Sequence, residues 1–178
     1  MSTKICGRCK GETKKKQPCA RRTCRTGLCW QHLRKHDGLR VKKSTISNAG
    51  LGLFAERQFK KGERIARYTG DTMTRKQQRE RYPDGDSQYV LCAGDKSTSK
   101  CVDARRTNST PARYANTTAP GEAKKRNAKL NKSFNLVATK NIPARREIFT
   151  SYGVGFKIRG KNLGVKTVVR NAGVKTIT

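Results

Sequence analysis

The sequence contains few apolar and few aromatic residues. Hydrophobic residues account for 33% and aromatic residues for 6% of the 178 positions, so the chain has room for one ordinary domain and a small module, not for two large cores. No segment approaches the roughly 20 apolar residues that span a bilayer, and the first six residues lack the apolar stretch of a secretory signal. We therefore expect an intracellular protein that does not bind membranes.

Acidic residues are scarce as well. The chain has 12 Asp and Glu residues against 42 Lys and Arg residues, which gives a net charge of +30. Residues 1–43 hold a net +12 and residues 44–178 a net +18, so no single tail accounts for the excess. Such a charge favours a polyanionic partner such as DNA, bound with release of counterions. The alternative is a solvated basic surface that only serves solubility.

Cysteines are concentrated at the start of the chain, where five of the seven lie before residue 30 and both histidines follow closely. In an intracellular protein this crowding indicates metal binding. Zinc, held by four sulfur or nitrogen ligands, stabilises segments that are too short to bury a core. We predict a structural Zn²⁺ module over residues 1–38. Its cysteine and histidine pattern resembles a short module that occurs in proteins of large DNA viruses.

The preferred ligand set for this metal is Cys9, Cys19, Cys29 and His32. Cys29 and His32 are separated by two residues, so both can face one metal from a single turn. A competing set begins with Cys6 and Cys9, because their C-x2-C spacing is typical of zinc knuckles; Cys24 is then a spare thiol or replaces Cys19. Reduced cysteines without metal are a further alternative, and a disulfide framework is disfavoured because a secretory signal is lacking.

Short β-like runs separated by turns begin at Leu39. Residues 39–43 alternate between apolar and polar side chains, as in a half-buried strand. One helix is predicted at residues 73–81, and the fold class is mostly β with few helices. Cys92 and Cys101 lie on predicted strands, and we predict that they are buried small hydrophobic residues, neither ligands nor nucleophiles. The other predicted strands are residues 66–69, 88–92, 100–103, 136–139 and 148–151.

Five separated segments carry short motifs: residues 50–55, residues 61–70, residues 101–104, residues 113–116 and residues 147–153. In this order they resemble the SET domain of protein lysine methyltransferases, in its compact viral type. The resemblance spans residues 39–156 and implies a β-clip of short sheets. It also implies transfer of methyl groups from S-adenosylmethionine to protein lysines.

The resemblance further implies which residues hold S-adenosylmethionine. In SET domains a turn that matches Gly50-Leu51-Gly52 holds the methyl donor through backbone groups. Asn116 matches an asparagine whose amide can bind both the amine and the carboxylate of the methionine moiety. Thr117 stands where the family usually has a histidine. The predicted cofactor-binding residues are Gly50, Leu51, Gly52, Arg113, Asn116 and Thr117.

Tyr152 is the catalytic residue that the resemblance implies. Methyl transfer from a sulfonium to an amine is an in-line displacement, so the donor and a neutral amine must be aligned. A tyrosine hydroxyl near the methyl group can orient it. Tyr89, Tyr114 and Phe156 are predicted to wall the lysine channel, because aromatic faces favour ammonium groups. Residues 157–178 form a basic tail with a nine-residue echo, which we interpret as β-like strands.

The net charge bears on the substrate. A chain at +30 repels free histone tails, so we expect the substrate to be a histone or another basic protein that is bound to DNA, as in a nucleosome. A nuclear location follows, in a host nucleus or a virion if the protein is viral. The alternative function is a non-catalytic protein that binds nucleic acid or chromatin with a SET-like fold, which Thr117 and the charge favour. The sequence leaves a homodimer open.

Overall fold

A computed structural model describes residues 4–84, 88–94, 100–118 and 121–151, and the backbone of residues 175–177. The fold is mostly β with few helices, as predicted. The strands are β1 Gly7–Arg8, β2 Arg22–Thr23, β3 Leu39–Lys43, β4 Leu51–Ala55, β5 Arg64–Arg67, β6 Asp71–Thr74, β7 Val90–Ala93, β8 Lys100–Asp103, β9 Asn116–Thr117, β10 Ala128–Leu130, β11 Asn135–Ala138, β12 Phe149–Thr150 and β13 Lys175–Ile177.

Helical segments are short. The first, α1, covers Trp30–His32 and continues as one π-helical turn over Leu33–Asp37, which ends at Gly38 in the left-handed conformation. The second, α2, covers Arg75–Arg81. Two 3-10 turns complete the set in the described ranges, at Pro111–Tyr114 and Ala123–Lys125.

The strands form several small sheets, not one large one. Strands β3 and β4 make an antiparallel hairpin, and β5, β11 and β10 pair in that order. A four-stranded sheet has the order β13, β7, β8, β6, in which β13 runs parallel to β7. Strands β9 and β12 form a short parallel pair. This last pair brings the segment around residue 116 beside the segment around residue 149.

One main hydrophobic core lies between these sheets. Alternation in β3 buries Leu39 and Val41 and exposes the basic residues between them, which confirms the period-two pattern of the sequence. Full burial of an aliphatic or aromatic side chain contributes about 1.5–3 kcal/mol. Leu33, from the N-terminal module, belongs to the same core cluster, so the module packs on the larger domain. The predicted boundary at residues 38 and 39 stays a prediction. The largest fully buried apolar side chains of this core are Tyr68, Phe59, Leu39, Leu53, Leu91, Leu136, Ile142 and Ile148.

The predicted helix at residues 73–81 starts too early. Thr74 is the N-cap of α2, and its hydroxyl accepts a hydrogen bond from the backbone N–H of Gln77 while the Gln77 side chain accepts one from the N–H of Thr74. This capping box fixes the start of the helix. Met73 therefore belongs to β6, where it pairs with Cys101.

Asp103, at the end of β8, anchors the end of α2. The buried Asp103 carboxylate accepts a hydrogen bond of 2.5 Å from the Tyr82 hydroxyl and lies 3.4 Å from the Arg81 guanidinium. Burial, together with this hydrogen bond, raises the pKa of Tyr82 to about 12. The Tyr82 hydroxyl therefore remains a donor throughout the neutral range.

Four cysteines form disulfides, which corrects two predictions. Cys92 and Cys101 are buried as predicted, but they are bonded to each other, because they face one another across the β7–β8 ladder. Opposite residues of an antiparallel pair have Cβ atoms close enough to be bridged. The second disulfide joins Cys6 to Cys24. It removes Cys6 from the competing zinc set, and it removes Cys24 as a spare thiol or a ligand.

No helix within the described residues is both long enough and apolar enough to cross a membrane. The backbone of β13 adds to the edge of the four-stranded sheet, in line with the β-like interpretation of the second half of the echo; the first half lies outside the described residues.

Candidate active site and metal centre

The turn before β4 is shaped by two glycines. Gly50 has a φ of +70°, a conformation that other residues rarely adopt, and its carbonyl accepts a hydrogen bond of 2.9 Å from the N–H of Ser44. A Cβ at Gly50 would meet no atom within 4 Å, so the turn borders open space. A Cβ at Gly52 would lie 2.1 Å from the carboxylate of Glu147. Gly50 therefore sets the turn, and Gly52 makes room for Glu147.

Glu147 is a buried carboxylate with 5% relative exposure. Its Oε1 accepts a hydrogen bond of 2.7 Å from the Ser44 hydroxyl, and its Oε2 accepts bonds of 2.7 and 2.5 Å from the N–H and the hydroxyl of Thr45. The amide Nδ2 of Asn116 is 3.3 Å from Oε1. Glu147 forms no ion pair with any of the described residues. Neutral donors therefore satisfy its charge.

Asn116 connects β9 to the glycine turn. Its Nδ2 donates to the carbonyl of Leu51 at 3.1 Å as well as to Glu147. The Oδ1 atom accepts no hydrogen bond from the described residues, so one acceptor of the amide remains available. Thr117 follows on β9, half-buried, and pairs with Thr150 of β12. The structure thus brings Asn116 to the turn formed by residues 50–52; contact of these residues and Thr117 with the methyl donor stays a prediction.

Asn127 holds the backbone on both sides of Ile148 in place. Its Nδ2 donates to the backbone carbonyl of Glu147 at 2.8 Å, and its Oδ1 accepts from the N–H of Phe149 at 2.9 Å. Sequence reasoning missed the roles of Glu147, Ser44 and Thr45. Glu147 stood at the start of a recognised motif, but its two partners lie about a hundred residues earlier, in a segment without a motif.

Arg113 contacts two aromatic rings as well as polar backbone groups. Its guanidinium, buried with the residue at 4% exposure, donates to the carbonyls of Ala104 at 2.7 Å and Arg105 at 3.3 Å. It also lies 4.1 Å from the ring centre of Tyr89 and 4.8 Å from that of Tyr114. On these two tyrosine rings, the faces that Arg113 covers are therefore already in contact with a cation of the chain itself. Cofactor contact by Arg113 and a channel role for the two tyrosines stay predictions.

Two of the predicted residues lie outside the described residues. They are Tyr152, the predicted catalytic residue, and Phe156 of the predicted channel.

A second site lies in the N-terminal module, where Cys9, Cys19, Cys29 and His32 meet. Their ligand atoms all lie within 4.8 Å of one another, and the three cysteines are buried. Nδ1 of His32 is 3.2 Å from the Cys9 sulfur and 3.6 Å from the Cys29 sulfur. Zn–S and Zn–N bonds in a tetrahedron place ligand atoms about 3.5–3.8 Å apart. The four predicted ligands are therefore close enough together that they could hold one metal ion.

The surroundings of the thiols act on their ionisation in both directions. The backbone N–H groups of Cys29 and Gly11 point to the Cys9 sulfur at 3.1 and 3.4 Å, an arrangement that stabilises thiolates. Burial raises the pKa of Cys9. Burial opposes ionisation of Cys29 too, but hydrogen bonds from the backbone of His32 and from neighbouring thiols lower the pKa of Cys29 below its ordinary value.

Gly11 makes room for the ring of His32. A Cβ at Gly11 would lie 2.5 Å from Nδ1 of His32, whereas a Cβ at Gly7 would meet no atom within 4 Å. A larger residue at position 11 would therefore collide with His32, whereas one at position 7 of the same module would not.

A comparison with family sequence profiles matches the SET domain to residues 50–153. The chain belongs to the SET-domain family. The matched segment contains the glycine turn, Asn116 and Glu147. No curated protein matches the chain.

Solved structures show the same SET fold. The SET domain of ATXR5, solved in complex with di-methylated histone H3, is 25% identical with a TM-score of 0.50; the match covers 65% of this chain and 57% of that chain. An active polycomb repressive complex 2 in the stimulated state is 25% identical with a TM-score of 0.53, over 66% of this chain and 15% of that chain. The methyltransferase domain of human PR domain-containing protein 2 is 19% identical with a TM-score of 0.50, over 68% and 82%, and shows the fold alone. The chain spans less than two thirds of the first two of these chains.

The first prediction concerns Glu147. Glu147→Gln replaces one oxygen by an amide that faces the donors of Ser44 or Thr45, so we expect the free energy of unfolding to fall by about 1.5–3 kcal/mol. Glu122→Gln is the control, because Glu122 is exposed and pairs only with Lys125 among the described residues; its change should stay below about 0.5 kcal/mol. Urea denaturation measures both, and equal stabilities of the two variants would contradict the role of Glu147.

The second prediction concerns the metal centre. Gly11→Ala pushes a methyl group against the His32 ring, so we expect zinc affinity to fall about 10- to 100-fold. Gly7→Ala should leave the affinity unchanged. Competition with a chromophoric chelator measures both, and the same affinity in the two variants and the wild type would count against His32 as a ligand.

Proposed function

We propose that this SET-domain protein is an S-adenosylmethionine-dependent protein lysine N-methyltransferase. The observation that carries the proposal is the meeting of Asn116 with the glycine turn at Leu51, fixed by the carboxylate of Glu147. A hydrogen-bonding amide whose oxygen accepts no bond from the described residues, next to a backbone turn that borders open space, suits the polar methionine end of the donor. S-adenosylmethionine supplies an electrophilic methyl group to a neutral amine.

In this proposal the residues of the chain bind and orient. The backbone of residues 50–52 and the Oδ1 of Asn116 hold the donor, Glu147 keeps the Asn116 amide in one orientation, and Tyr152 aligns the methyl group with the lysine amine. Thr117 takes the place of the family's histidine and offers its backbone beside the donor. The aromatic group around Arg113 supports the entry of the lysine stem.

We further propose that the cluster of Cys9, Cys19, Cys29 and His32 holds a structural Zn²⁺. Three thiolates and one imidazole are a common set for structural zinc, and all four coordination positions are filled by the protein. The ion would fix a module that has little apolar surface of its own. Because Leu33 of the module packs in the main core, zinc would also stabilise the contact between the N-terminal module and the larger domain.

The substrate class that best suits the chain is a histone or another basic protein bound to DNA, in the nucleus. One of the solved relatives supports this class: the ATXR5 SET domain was solved in complex with histone H3. The charge of +30 makes a free basic peptide a poor partner and makes DNA an attractive one.

A second candidate function is a non-catalytic protein that binds nucleic acid with a SET fold. Thr117 in place of histidine favours it, together with the net charge. Binding of the donor distinguishes the two candidates, since a pure binding protein has no need of a donor site at Asn116.

The third prediction tests the enzyme. Asn116→Ala removes the amide that meets the donor, so calorimetry should show a dissociation constant for S-adenosylmethionine about 10- to 100-fold higher than that of the wild type. Tyr152→Phe should keep the affinity and lower the transfer of labelled methyl groups to nucleosomes about 100-fold or more. A wild type that binds no donor, yet binds DNA tightly and in a salt-sensitive way, would overturn the enzyme and favour the second candidate.

The fourth prediction tests the substrate. Nucleosomes should be much better substrates than free histone peptides at low salt, because DNA attracts the basic chain and the peptide is repelled. This advantage should shrink as salt rises and screens both effects. Equal rates on nucleosomes and peptides at every salt concentration would contradict the proposed role of DNA.

A further inference from the structure

The N-terminal module carries an exposed tryptophan between two clefts. Trp30 is the sole tryptophan of the chain. Its relative exposure is 55%, and within the described residues no other large hydrophobic side chain is exposed. One cleft, of about 400 Å³, includes Arg21, Arg22 and Arg25 in its lining. The other, of about 510 Å³, includes Arg34, Lys35 and Arg57. Both clefts are lined by Trp30.

The first cleft is the more basic of the two. Its lining contains no carboxylate among the described residues, and Arg21 and Arg22 form no ion pair there. In the second cleft Glu56 lies 3.3 Å from Arg34 and 3.8 Å from Arg40, which offsets part of the charge. Unpaired guanidinium groups next to an indole favour an anionic ligand that also has a flat aromatic part.

The metal cluster fixes the backbone that carries this tryptophan. Trp30 directly follows Cys29 and lies two residues before His32, and both belong to the cluster. Arg22 lies on β2, which pairs with β1. The disulfide between Cys6 and Cys24 cross-links the chain beside these two strands. A stacking surface held on a rigid support loses little conformational entropy when it binds.

We propose that this face, defined by Trp30, Arg21, Arg22 and Arg25, binds single-stranded nucleic acid. An unpaired base stacks on the indole of Trp30, and the arginines contact the neighbouring phosphates. A duplex hides the faces of its bases, so it engages the arginines without the stack. An acidic peptide matches the charge but has no base to stack. The face lies in the zinc module, and its function does not depend on methyl transfer.

The fifth prediction uses Trp30 as its own reporter. Addition of an oligothymidylate of about 12 nucleotides, a length in the range of single-strand sites, should quench the tryptophan fluorescence of the full chain saturably. A blunt hairpin duplex and a poly-glutamate peptide should change the emission little. Trp30→Ala should weaken binding of a labelled oligothymidylate about 5- to 150-fold, as expected for one lost stack of about 1–3 kcal/mol.

Two double variants test the arginines. Arg21→Ala with Arg22→Ala should lower the slope of log affinity against log salt by about 1 to 1.5. Lys14→Ala with Lys15→Ala removes the same charge from the same module but outside both clefts, and it should change the slope less. Zinc content and thermal midpoint show that the variants are folded. Oligothymidylate binding without a change in Trp30 emission, or equal quenching by the duplex or by poly-glutamate, would overturn the proposal, and the wild type alone suffices for that test.

Discussion

The carboxylate of Glu147 is the interaction on which the site depends. A buried charge costs several kcal/mol unless its oxygens are satisfied, and here Ser44, Thr45 and Asn116 supply the donors. These donors come from the loop before β4 and from β9, so one carboxylate holds together segments that no long ladder connects. The need for space beside it explains a glycine at position 52. The orientation of the Asn116 amide follows from the same contact.

Several acidic residues of the described part of the chain are buried or ion-paired. Asp103 and Glu147 are buried, and Glu56 and Glu63 pair with neighbouring arginines. The described surface is therefore strongly basic, in line with the net charge of +30. A SET domain built in this way can present positive charge toward a polyanion while the site keeps a local balance of neutral donors and one carboxylate. The N-terminal module adds arginines next to an aromatic ring, on a backbone that the disulfide between Cys6 and Cys24 cross-links.

Several elements were predictable because their signals are local. The alternation in β3, the glycine turn and Asn116 all follow from short stretches of sequence. The family profile matches the segment that contains the turn and Asn116. The capping box at Thr74 could have been recognised from the sequence, because a threonine is followed three residues later by Gln77. The prediction instead began the helix one residue before this cap, at Met73. The disulfide between Cys92 and Cys101 depended on the register of β7 and β8, which the spacing of nine residues alone does not give. The role of Glu147 depended on partners brought together only by the complete fold.

The contact between Ser44 and Glu147, 103 residues apart in sequence, has a consequence for biosynthesis. During translation the β3–β4 hairpin leaves the ribosome early, but its loop hydroxyls have no carboxylate to meet until most of the chain has been made. The glycine turn therefore stays without its final support while the roughly 95 residues between Gly52 and Glu147 are synthesised. Contacts with such long separation form late and slow folding, so ribosome-bound chains that stop before residue 147 have an unfinished pocket however well their first strands are paired.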